Sequence, residues 1–125
     1  MERRAAKELL HIQGWLLRAE EIVARGKAGY LADDLLQEAG DSLMMKLGEA
    51  AGRLSKFDVL APAGVDWALA IANRNFIIHR YDEIDREQTW LTLSSDLPAW
   101  RASLDPLFTQ AESALTAEAE NADPA

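Results

Sequence analysis

The 125-residue sequence predicts an all-α fold, an antiparallel four-helix bundle, on three observations. Apolar residues recur at steps of three and four along most of the chain, the spacing that gathers them on one side of a helix. No stretch alternates apolar with polar residues as a half-buried strand does, and no internal repeat stands out. The length suits one domain with a real core and falls short of two.

Taken in order, residues 2–25 carry Leu9, Ile12, Leu16, Ala19 and Val23 as one apolar stripe on a long first helix. Gly26 and Gly29 bracket the first turn, with Gly26 placed to end that helix. The acidic pair Asp33-Asp34 suits an exposed helix start. A second helix over about residues 30–54 turns Leu35, Ala39, Leu43, Leu47, Ala51 and Leu54 inward. Gly40, Gly48 and Gly52 weaken it by up to about 1 kcal/mol each relative to Ala. Gly48 and Gly52, four apart, also permit a close approach by another helix.

Residues 56–65, with Pro62 and Gly64, read as a loop. A third helix begins near Asp66, carries Trp67, Ala70, Ile71 and Ile78, and stops between positions 82 and 85. Asp85 and Gln88 match a capping box for the next helix. Trp90, Leu93, Leu97, Trp100, Leu104 and Leu107 then keep one phase across Pro98 and Pro106. Proline removes a backbone bond and crowds the preceding turn, so the expectation is a single last helix kinked near Pro98. Beyond about Leu115 there is nothing to bury. The sequence thus divides into a helical domain over 1–115 and a disordered acidic tail over 116–125.

The formal charge of −8 is uneven. Residues 1–43 hold six cations and eight acids, residues 44–86 six of each, and residues 87–125 one cation and seven acids. An acidic total argues against broad capture of nucleic acid, which depends on Lys and Arg neutralising phosphates. The neutral middle segment leaves room for a local basic groove from Lys46, Arg53, Arg74, Arg80 and Arg86, doubled if the chain pairs with itself. The absence of Cys removes disulfides, thiolate nucleophiles and zinc–thiolate sites. No window nears the ~20 apolar residues of a membrane span, and no export signal is visible, so a cytoplasmic location without membrane attachment is expected.

Chemistry concentrates in Arg74-Asn75-Phe76-Ile77-Ile78-His79-Arg80-Tyr81, a permanent cation, an amide, an imidazole and a phenol within about two helical turns. Asn75 and His79 lie one turn apart, and Arg74 and Tyr81 two turns apart on a neighbouring face, so Arg74 and His79 are not strictly co-facial. His11, the other histidine, has no charged cluster around it and reads as structural or as a surface residue. Asp82, Glu83 and Asp85 are better explained by helix ending and capping than by a metal site. Neither a glycine-rich phosphate loop nor a defensible Ser/His/Asp set is present.

The spacing of Arg74, four residues, His79, one residue and Tyr81 resembles the signature of the HepT-like toxins of the HEPN superfamily. Gly48-Glu49-Ala50-Ala51-Gly52-Arg53-Leu54-Ser55 is similar to a segment those proteins carry on their second helix. Ile84-Asp85 and Trp90 extend the resemblance to roughly residues 7–110. It implies a type VII toxin–antitoxin ribonuclease that needs no metal and no cofactor and is held in check by an MntA-like nucleotidyltransferase antitoxin. Arg74 would position phosphate and stabilise its developing charge, and His79 would transfer a proton, as a free imidazole of pKa about 6.5 is suited to do. Asn75 would support them, by fixing the imidazole or donating to phosphate. Tyr81 would accept AMP groups that block RNA. Relatives of this kind form homodimers with the motif helices at a shared cleft, and a larger hetero-oligomer with the antitoxin is compatible with that. Set against this is a non-catalytic helical partner that binds a nucleotidyltransferase or a nucleotide through the same surface, and, more weakly, a helical adaptor.

Overall fold

The computed structural model describes residues 1–57 and 65–122, and among them every regular element is helical. Helix α1 spans Arg3–Val23, with the Glu2 carboxylate accepting from the Ala5 amide at 3.1 Å. It buries Ala5, Ala6, Leu9, Ile12, Leu16, Ala19 and Ile22, so the predicted stripe holds and shifts by one residue, from Val23 to Ile22, at its end. Gly26 follows at φ 81°, a left-handed backbone that only glycine adopts freely, and turns the chain as expected.

The predicted second helix is divided. A short α2 over Lys27–Leu31 precedes α3 over Asp34–Leu54, because the Asp33 carboxylate caps the amides of Leu35 and Leu36 and starts a new helix there. That restart sets the rotation of α3. Leu35 and Ala39, expected inside, are exposed, Leu35 at 75%, while Gly40, Leu43, Met44, Leu47, Gly48, Ala50, Ala51 and Leu54 are buried. A 3₁₀ turn over Ser55–Phe57 replaces the first part of the expected loop, of which residues 58–64, including Pro62 and Gly64, lie outside the described residues.

Helix α4 spans Trp67–His79, with Asp66 accepting from the Leu69 amide at 3.0 Å. Its core-facing residue near the end is Ile77, 5% exposed, and not Ile78, 40% exposed. After a 3₁₀ turn over Tyr81–Glu83, Asp85 caps α5, Arg86–Leu91, by accepting from the Glu87 and Gln88 amides. The chain then widens into a π turn at Thr92–Asp96 before α6, Leu97–Ala122. The deformation therefore sits just before Pro98. An ordinary helix would place the Pro98 ring against the Ser94 carbonyl, and the wider turn relieves that crowding. Hydroxyls bond back within the same stretch, Ser94 to the Trp90 carbonyl at 2.7 Å and Thr92 to that of Gln88 at 3.3 Å. Pro106 leaves α6 unbroken. The helix also runs on to Ala122, past the expected limit of order at Leu115.

The core lies between α1, α3 and α6 and is filled by Leu9, Leu16, Tyr30, Leu54, Leu93, Leu104 and Phe108. Helix α4 joins this bundle chiefly through α3. That placement leaves much of the α4 surface uncovered, and α4 carries the octet.

Candidate active site

The site grows out of the α3–α4 contact. A Cβ built on Gly48 would overlap the Arg74 Cβ and stand 2.7 Å from the Ala70 carbonyl oxygen, so the absent side chain is what lets the helices approach. Gly52 meets nothing within 4 Å and has no such part. Pinned there, the Arg74 side chain turns toward α3. Its Nε is buried without a hydrogen bond, 3.6 Å from the Glu49 Oε1, and its Nη1 donates to the Asn75 Oδ1 at 3.1 Å. A guanidinium so bracketed is oriented and still half-accessible.

His79 closes α4 and is exposed, with no hydrogen bond or ion pair among the described residues. Five helical steps separate it from Arg74, a rotation of about 140°. It shares a face with Leu69, Ala72, Asn75 and Phe76, all at least partly exposed. Leu69 and Phe76 are each 44% accessible, so this face keeps apolar surface in water, while the covered side of Phe76 lines a small cleft with Met44, Ile77 and Ile84. Tyr81 falls on the α3 side instead. It is 55% exposed and lines an open groove of about 650 Å³ with Glu38, Asp41, Ser42, Lys46 and Glu49. One subunit thus brings Arg74, Asn75 and Glu49 together and holds His79 on a separate face. Asn75 engages the guanidinium, not the imidazole.

The expected basic groove does not form. Arg53 pairs with Glu8 at 2.6 Å, Arg80 with Glu83 at 3.2 Å and Arg74 with Glu49. Arg86 makes a two-pronged bond to Asp41 at 2.7 and 3.0 Å. Of the five cations expected to build it, Lys46 alone has no carboxylate partner among the described residues. The Arg86–Asp41 pair is one that sequence reasoning missed. Donation to the Asp41 carboxylate chiefly, with a smaller favourable contribution from the neighbouring Tyr30, holds the Arg86 guanidinium above its ordinary pKa, against the lowering effect of burial. Tyr30 in turn shares a 2.6 Å hydrogen bond with Thr89. Asp41 reaches the buried side of α3 only through the way the structure turns that helix, and an acid there needs a cation, so no local signal in the sequence could have found the pair.

Among the described residues no three His, Cys, Asp or Glu side chains are gathered as metal ligands, and no helix is long and apolar enough to cross a membrane. The family model of HepT-like ribonucleases matches residues 12–107. The chain belongs to the HepT-like ribonuclease family. Ribonuclease activity in the general sense comes with that membership. Comparison with curated proteins and with solved structures finds no match. For this HepT-like chain, the match spans α4 and the α3 segment beneath it, so the octet and Gly48-Glu49 lie inside the family's own length.

Proposed function

We propose that the protein is the toxin of a toxin–antitoxin pair, an endoribonuclease working without a metal, whose site is completed when two copies meet along α4. The observation that carries this reading is the partly exposed apolar pair of Leu69 and Phe76 beside His79, on the helix that also holds Arg74. Burying such a pair against its own copy favours association, since exposed apolar surface is the main source of interface energy. It would also set the His79 and Arg74 of two chains around one cleft, which a single chain's 140° separation does not.

The chemistry then divides between two side chains. The ribose 2′-oxygen attacks the adjacent phosphorus as its proton leaves, the bond to the 5′-oxygen breaks, and a 2′,3′-cyclic phosphate and a 5′-hydroxyl result. Charge building on the phosphate oxygens is met by the Arg74 guanidinium, already oriented by Glu49 and Asn75. His79, exposed and unencumbered, exchanges the proton. Asn75 acts as a positioning residue for Arg74.

Regulation follows from Tyr81. Its exposed phenol can attack the α-phosphorus of ATP in the site of a cognate nucleotidyltransferase antitoxin, forming a phenol–phosphate bond and releasing pyrophosphate. The AMP so attached puts a competing phosphate and a bulky nucleoside on the same side of α4 as Arg74.

Purified protein incubated with RNA should yield cyclic-phosphate ends in the presence of a chelator, and Arg74→Ala or His79→Ala should lower the rate by at least about 100-fold without lowering the melting temperature. Full activity in His79→Ala would overturn the mechanism and leave the reading of a non-catalytic partner protein. With ATP and the transferase, mass should rise in AMP steps in the wild type and not in Tyr81→Phe.

A further inference from the structure

With its expected basic groove neutralised, the chain must hold the rest of its substrate elsewhere. Two of the unpartnered cations point to the place. Arg25 and Lys46 have no carboxylate partner among the described residues, and both line a second open groove, of about 620 Å³, between α1 and α3. That size falls within the ~300–1,000 Å³ of ordinary ligand sites. Its wall includes the half-buried Trp15, whose ring lies 5.9 Å from the exposed imidazole of His11. Arg18 and Glu21 also line it, paired with each other at 3.0 Å, so their charges offset there. In a chain of charge −8, two free cations beside an aromatic ring form a local exception to the acidic surface.

Continuity with the site is equally specific. Ser42 and Lys46 line both this groove and the one that holds Tyr81. Glu49, Lys46 and Ser42 follow one another along one side of α3, from the Arg74 contact to the α1–α3 gap. A strand leaving the Arg74 guanidinium along that side crosses α3 at Lys46 and enters the gap at Arg25 and Trp15.

We infer that the α1–α3 groove binds the single-stranded RNA flanking the scissile bond, with Arg25 and Lys46 on its phosphates and Trp15 stacking on a base. This rests on the ribonuclease reading of the Arg74 and His79 site. Stacking on an aromatic ring and phosphate neutralisation are how single strands are held without sequence readout, and a folded duplex has no unstacked base to offer. The groove therefore selects unpaired RNA several nucleotides long over a minimal dinucleotide.

The test compares a dinucleotide with an unpaired RNA of about twelve nucleotides, for the wild type, Arg25→Gln and Trp15→Ala. For the long RNA, each variant should raise KM about tenfold with kcat retained, and Arg25→Gln should reduce the slope of log KM against log salt by about 0.7. Dinucleotide cleavage should not distinguish the three proteins. Trp15→Phe should restore tight binding if stacking is the interaction, which separates lost stacking from a damaged fold. An unchanged KM for long RNA in Arg25→Gln and Trp15→Ala alike, with wild-type cleavage intact, removes the groove proposal and spares the nuclease. No cleavage of either RNA by the wild type overturns both. Variants that keep their RNA KM but lose the transferase complex would assign the groove to that protein and overturn the proposal.

Discussion

Helices α1 and α4 make a useful contrast. In α1, eleven of 21 residues are apolar and seven residues are buried, because the stripe faces both α3 and α6. In α4, nine of 13 are apolar, yet only Ala70 and Ile77 are buried, because α3 alone provides most of its packing. The more apolar helix is thus the less buried one. Core helices commit their apolar residues to the fold of one chain. A helix that keeps apolar residues in water has surface left for another molecule, and here that surface adjoins His79.

The sharpest way to break the contrast is at the bond between α3 and α5. Asp41→Ala should cost about 4 kcal/mol of stability, since it leaves the Arg86 guanidinium without its carboxylate at the core margin. Because the Arg86 pKa is raised in the folded protein, the arginine's contribution is fully present below the ordinary arginine value and is lost only as pH rises through the still higher folded one. Chemical denaturation should accordingly give the same loss at pH 7 and pH 9 on the arginine's account. A double change, Asp41→Leu with Arg86→Met, should recover a large part of it.

Leu104→Ala, in the fully buried α6 stripe, should cost about 3 kcal/mol by leaving a cavity in the core. RNA cleavage, measured well below the melting point, should barely change. Gly48→Ala should cost about 2 kcal/mol through overpacking against α4 and also displace Arg74, so its loss of cleavage should exceed its loss of stability. Equal activity in Gly48→Ala would deny that the α3–α4 approach sets the guanidinium. Phe76→Glu should cost a single chain no more than about 1 kcal/mol, because the ring is already 44% exposed. Sedimentation should nevertheless show a monomer, with cleavage lost. If Phe76→Glu unfolded the chain instead, the distinction between the two helices would fail.

Much of the candidate site is proposed from the linear order. Arg74, His79 and Tyr81 stand out by residue type and spacing, and Asp33, Asp66 and Asp85 mark helix starts by chemistry that acts within three residues. The pairing of Arg53 with Glu8, or of Arg86 with Asp41, spans 45 positions, and nothing local selects one carboxylate over another. The inward face of α3 escapes a linear reading for a related reason. Leu35 and Ala39 fit a helical rhythm, but the Asp33 cap and the Gly48 contact, not the rhythm, fix how the helix is turned.

The order of residues alone determined that this chain is helical and roughly where its helices begin, because propensity, capping and periodicity act over a few residues. Which cations stay free, which face of α4 stays in water, and that Arg74 and His79 part company on one subunit were decided only when α3, α4 and α5 came together. Charge pairing and burial are properties of surfaces in contact, and those surfaces are assembled from positions far apart in the chain.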